Sequence, residues 1–177
     1  MSKQAHLALM AEYNRWMNQN LAQAAAQLDA AALLQERGAF FSSIFGTLNH
    51  LVTADLIWLQ RFSQLSAPAS AVLDLSRFPY SKDLRAQPCA DFAGWQNMRA
   101  ELDALIVQWV AALREEDCEA ALDYHTLDGQ PLRKNMYSLC AHFFNHQTHH
   151  RGQASTLLFQ AGVDIGVTDL NAIIPVV

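Results

Sequence analysis

Two of the chain's seven histidines stand one helical turn apart in the run FFNHQTHHRGQASTLL. Followed at steps of three and four, this stretch presents Leu139, Phe143, His146, His150, Ala154 and Leu157 as one inward stripe, so His146 and His150 occupy core positions. Residues four apart lie one above the other, with Cβ atoms about 5–6 Å apart. That separation lets two imidazoles converge on one ion at about 2.0–2.2 Å from each nitrogen. An unpartnered imidazole in a core is costly to desolvate, and two stacked ones call for a shared partner, of which a metal ion is the natural example. His50 is the candidate third ligand, the histidine near the middle of a second helical pattern. Its neighbours on that face, Gly46, Thr47, Thr53 and Ala54, are small and leave room for an ion and a ligand. Three neutral imidazoles from two helices, with positions left open, form a catalytic rather than a closed structural donor set. The competing reading is a bundle held by core packing alone, its histidines satisfied by hydrogen bonds.

The remaining chemistry-bearing residues are less informative. No Glu follows His146, so the metalloprotease helix motif is absent, as are GxSxG, P-loop and GxGxxG patterns. His142, one turn before His146, is a substitute ligand or a brace for one, and Arg151 is a candidate anion contact. His149 points about 100° away from His150 and reads as a surface or hydrogen-bonded residue. His6 and His125 lie in terminal and hairpin regions and are expected to be solvated. Cys89, Cys118 and Cys140 are odd in number, scattered and in no CxxC pair, which reads as reduced thiols in a reducing compartment. Cys140 lies off the metal stripe and reads as a core thiol. Trp16, Trp58, Trp95 and Trp109 read as core.

Four helical patterns must position these residues. The first spans about residues 3–31, with Leu9, Tyr13, Trp16, Met17, Leu21, Ala24 and Leu28 at helical steps in an Ala-rich segment free of Gly and Pro. After Arg37-Gly38 the second spans about 39–65, with Phe41, Ile44, Phe45, Leu48, Val52, Leu56 and Leu59 as its stripe. A long irregular crossover follows, and connections of that length often carry function or cover a site. The third helix takes Asp91 as N-cap and runs to about residue 116. Asp128-Gly129 marks a small two-stranded ribbon. Asn135 then caps the fourth helix, which ends near Gln160 with Gly162 as a left-handed cap. The apolar tail VDIGVTDLNAIIPVV is expected to pack back on the bundle. This is an all-α four-helix bundle plus a β-hairpin, one domain over residues 1–177. The long connection permits an overhand crossing as well as an up-down order.

Composition limits the function. Hydrophobic residues make up 51% and charged residues 16%, as in a packed globular chain with some apolar surface left for a subunit contact. A net charge of −5 and the lack of a Lys/Arg cluster disfavour nucleic-acid binding. The N-terminus lacks the apolar run of a signal peptide, and no apolar stretch approaches the roughly 20 residues of a membrane span. A soluble cytoplasmic protein is expected.

The run FNHQTHHRGQASTLL, with its H-x-x-x-H-R-G-Q motif, resembles the DinB superfamily of metal-binding four-helix bundles. YNRWMNQNL, TLNHLVTADLIWLQRF, TLDGQPLRKN and GVDIGVTDL extend the resemblance over nearly the whole chain. It implies an overhand bundle with a three-histidine site for nickel, zinc or a similar divalent ion, with ligands mapping onto His50, His146 and His150. It also implies a homodimer acting on a small-molecule substrate, with a low-molecular-weight thiol as cosubstrate in some members. The resulting expectation is a metal-dependent enzyme of thiol S-transferase or hydrolase type. The alternative is a non-catalytic metal-binding stress-response protein.

Overall fold

Short polar side chains set the helix starts in the computed structural model, which describes residues 1–176. Ser2, Asp29, Ser43, Asp91 and Asn135 each sit in extended backbone and accept a hydrogen bond from an amide of the following first turn. A cap of this kind contributes about 0.5–2 kcal/mol. The helices are α1 (Lys3–Ala25), α2 (Ala30–Leu34), α3 (Ile44–Phe62), α4 (Phe92–Ala112), α5 (Glu115–Glu119) and α6 (Met136–Gln160). Strands β1 (Ala121–His125) and β2 (Pro131–Asn135) pair antiparallel between α5 and α6.

The caps also explain where the helices depart from the periodicity. The first pattern breaks at Ala25 because Asp29 captures the Ala32 amide at 2.7 Å and opens the separate α2. The second helix begins five residues later than residue 39. Gly38 and Ser42 both take positive φ, making a turn before the Ser43 cap. The third stops at Ala112, since Asp117 accepts the Arg114 amide at 2.9 Å and starts α5. The fourth behaves as expected. Gly162, at φ +85°, donates to Phe159, and Val163 donates to Leu158, which closes the helix end.

α1 packs mainly on α4 and α6, while α3 packs on α6 and more lightly on α4. The consecutive long helices α1 and α3 are therefore not principal neighbours. A 3₁₀ turn at Pro68–Val72 anchors that crossover against α4. Trp95 and Trp109 are fully buried, and the Trp95 indole donates to the Leu48 carbonyl at 2.9 Å. Trp16 and Trp58 are only half-buried, so half of the tryptophan set is core. The three cysteines are free and buried. Among the described residues no helix is long and apolar enough to cross a membrane.

A polar network threads this apolar core. Arg99 of α4 bonds Asp55 of α3 at 2.6 Å and lies 3.0 Å from Asp103. Asn18 of α1 donates to Asp103 at 2.8 Å, and Gln147 of α6 donates to Asp55 and to the Leu51 carbonyl. Arg151 of α6 donates to Asn14 of α1. All seven of these side chains are buried. They tie the four long helices in one register. Burial and mutual pairing oppose each other here: desolvation disfavours the Asp55 and Asp103 carboxylates, and the shared Arg99 guanidinium favours them.

Candidate metal centre

His146 and His150 project from consecutive turns of α6 toward the middle of α3, where His50 stands. The Nε2 atom of His150 lies 3.1 Å from that of His146 and 3.2 Å from that of His50. One ring nitrogen from each of the three falls within 4.8 Å of the others, so the group could hold a metal ion. Nitrogens at about 2.0–2.1 Å from an ion in tetrahedral array would be about 3.3 Å apart, close to the two separations seen.

The other ring nitrogens define which tautomer is present. His50 Nδ1 lies 3.0 Å from the Leu84 carbonyl oxygen, which can only accept. His150 Nδ1 lies 2.7 Å from the Gln153 amide oxygen. Both Nδ1 atoms therefore carry the proton, and both Nε2 atoms present a lone pair to the same point. Two facing lone pairs 3.2 Å apart have no hydrogen between them. A cation resolves that repulsion, and the donor set fits a divalent transition metal.

Electrostatics point the same way. Burial, reinforced by repulsion among the rings, pulls His50 down to about 4 and His146 to about 3, and lowers His150. The imidazoles are neutral at physiological pH, the state in which they ligate.

The surroundings contain residues that spacing alone does not reveal. Phe41 stacks on the His50 ring at 3.8 Å and meets His150 edge-on at 5.6 Å. A Cβ on Gly46 would overlap the Phe41 carbonyl oxygen, so this glycine admits the backbone of the Phe41 turn rather than a ligand. The crossover does cover the site. Besides Leu84, its Ala86 carbonyl accepts from Thr53 at 3.3 Å, and its Cys89 amide donates to Asn49 at 2.9 Å. These bonds to irregular backbone leave no periodic trace in the sequence.

The other candidates lie outside the ligand group. His142 is exposed and packs edge-on against Trp58 at 5.0 Å, with its ring centre 6.0 Å from that of His146. Arg151 points round the helix into the polar network and makes no bond to the three histidines. His149 is exposed and lies 3.2 Å from the far side of Gln153. His125 is exposed. His6 is not simply solvated: it is half-buried, 3.1 Å from the Tyr137 hydroxyl.

A mostly helical fold with a hairpin before its last helix, and three imidazoles converging between two helices, defines a class of histidine-centred bundles. The chain belongs to the DinB family, whose model matches residues 1–174. It is similar to Protein DinB of Bacillus subtilis strain 168, at 26% identity over 161 residues, or 89% of this chain and 87% of that protein.

Proposed function

We propose that His50, His146 and His150 bind one divalent transition metal ion, nickel or zinc in type. We further propose that the chain is a metal-dependent enzyme transferring or hydrolysing through an external nucleophile. The observation that carries this reading is the pair of Nδ1 protons held on the Leu84 and Gln153 acceptors, which leaves Nε2 lone pairs converging. A bound ion of this kind supplies Lewis acidity, lowering the pKa of a coordinating thiol or water enough to make a nucleophile at neutral pH. Residues of the chain orient the ligands and limit solvent: Phe41 covers His50, and Gln153 bridges His150 to a cleft of about 420 Å³. That cleft, with Phe40, Thr47 and His149 on its walls, offers room for the body of a substrate.

The chain's own thiols are poor nucleophiles. Burial raises Cys89 to about 11 and also raises Cys118 and Cys140. A thiol mechanism therefore draws on a small external thiol. The same reading takes residues 1–177 as one domain, acting in the cytoplasm as a homodimer. Light scattering on the purified protein tests the homodimer.

Metal analysis by plasma mass spectrometry on tag-free wild type and His146→Ala is the first test. Near-stoichiometric metal in wild type, lost in the variant, is expected. Little metal after reconstitution with nickel and zinc would sink the reading. A cobalt-loaded sample then separates enzyme from inert metal protein: added glutathione or bacillithiol should change the cobalt spectrum and support turnover of an electrophile panel. Metal-dependent melting with no thiol effect would favour the non-catalytic stress-protein alternative.

A further inference from the structure

About 100° round α6 from His150, Arg151 is 4% exposed. Among the described residues it forms no ion pair, because Arg99 takes both Asp55 and Asp103. Its hydrogen bonds go to Asn14 Oδ1 and, at 3.2 Å, to Thr148 Oγ1. A guanidinium has five N–H donors, so most of its capacity is unused. An arginine guanidinium keeps its charge in proteins.

This cation lines a cavity of about 240 Å³ between α1, α6 and the tail. The Tyr13 ring lies on one side of the guanidinium, 5.5 Å from it. Thr148 and Ser155 contribute hydroxyls to the wall, while Met17 and Ile165 contribute apolar surface. Tyr13 Oη donates to the Thr168 carbonyl at 2.6 Å and pins the tail beside the opening. Charge, hydroxyls and a hydrocarbon wall are thus gathered in one small space, on a different face of α6 from the histidines.

We propose that this cavity binds a small monocarboxylate, with the carboxylate forked on Arg151 and its carbon chain against Met17 and Ile165. The planar fork matches a carboxylate in two parallel hydrogen bonds. One negative charge balances the one unpaired cation. A phosphate dianion would bring a second charge with no partner in a desolvated space. The site does not depend on the metal reading, since none of its residues is a histidine ligand.

The test is thermal melting and titration calorimetry of the full-length, metal-loaded protein with acetate, propionate and lactate, against chloride at equal ionic strength. A saturable carboxylate response is expected, with Tm rising roughly 3–6 °C at ligand ten times its Kd. Arg151→Lys should weaken binding at least about tenfold by removing the fork. Ser155→Asp places a carboxylate four residues along the same helix face. It should melt higher than wild type without ligand and lose the response to added carboxylates. The proposal is overturned if carboxylates act no more strongly than chloride, or if Ser155→Asp responds as wild type does. Phosphate or sulfate binding more tightly than the carboxylates would overturn it equally.

Discussion

Helix α6 carries two inward polar stripes, one buried and one half-buried, about 100° apart, and the chain treats them in opposite ways. Gln147 and Arg151 meet partners from the other long helices: Asp55 and the Leu51 carbonyl for one, Asn14 for the other. His146 and His150 meet each other and His50 at their Nε2 atoms, where the His50 and His150 lone pairs face each other. The first stripe takes its partners from the protein's own donors and acceptors and ties the long helices together, with Arg151 N–H groups to spare. The second is held by Gln153 at the outer nitrogen of His150 and left open at its centre, and it reads as a place for something from outside. The difference lies in whether the chain supplies both halves of each interaction.

Removing one member from each stripe should give different failures. The largest effect is expected from His146→Ala: bound metal falls to background and the metal-dependent rise in Tm disappears, while the metal-free protein still folds. Circular dichroism alongside metal analysis checks this, and unchanged metal content would break the comparison. Next is Asp55→Ala, which leaves the buried Arg99 with Asp103 as its one carboxylate. Breaking a buried pair costs about 3–5 kcal/mol, a large part of a typical stability of about 5–15 kcal/mol. Denaturant melts should show that loss, with metal stoichiometry retained in the fraction that folds.

Gln153→Leu is subtler. It removes the acceptor that holds the His150 Nδ1 proton and should weaken metal affinity about 10–100-fold, as such supporting contacts do. Competition with a chelator of known affinity measures it. An unchanged constant would mean that the His150 tautomer is set elsewhere. The smallest effect concerns pH in the metal-free protein. His50 and His146 are depressed below 6.5, to about 4 and about 3. Between 6.5 and those values the unfolded chain binds protons that the folded chain does not. Their contribution is therefore present above 6.5 and declines as pH falls toward 4. Metal-free wild type should lose more stability across that window than His146→Ala, and parallel pH profiles would contradict the assignment.

The tests divide along the line between what periodicity can carry and what it cannot. The helix patterns, the hairpin at Asp128-Gly129, the Gly162 cap and the trio His50, His146 and His150 were all legible in the linear chain. All but His50 rest on a local period or a turn preference that acts within a few residues, and His50 was reached from its place in mid-helix among small neighbours and from the family resemblance. Helix ends at Ala25, Ile44 and Ala112 were less legible, because side chains just beyond the apolar stripe captured the backbone first. Only the tertiary structure decided that Phe41 covers His50, that the Leu84 carbonyl selects its tautomer, and that Arg151 serves a different face from His150. Those contacts join residues distant in the chain or come from irregular backbone, and no period links such partners. The same limit hides which buried polar groups are already paired: a sequence names the donors and acceptors, but only their packing says which of them have met.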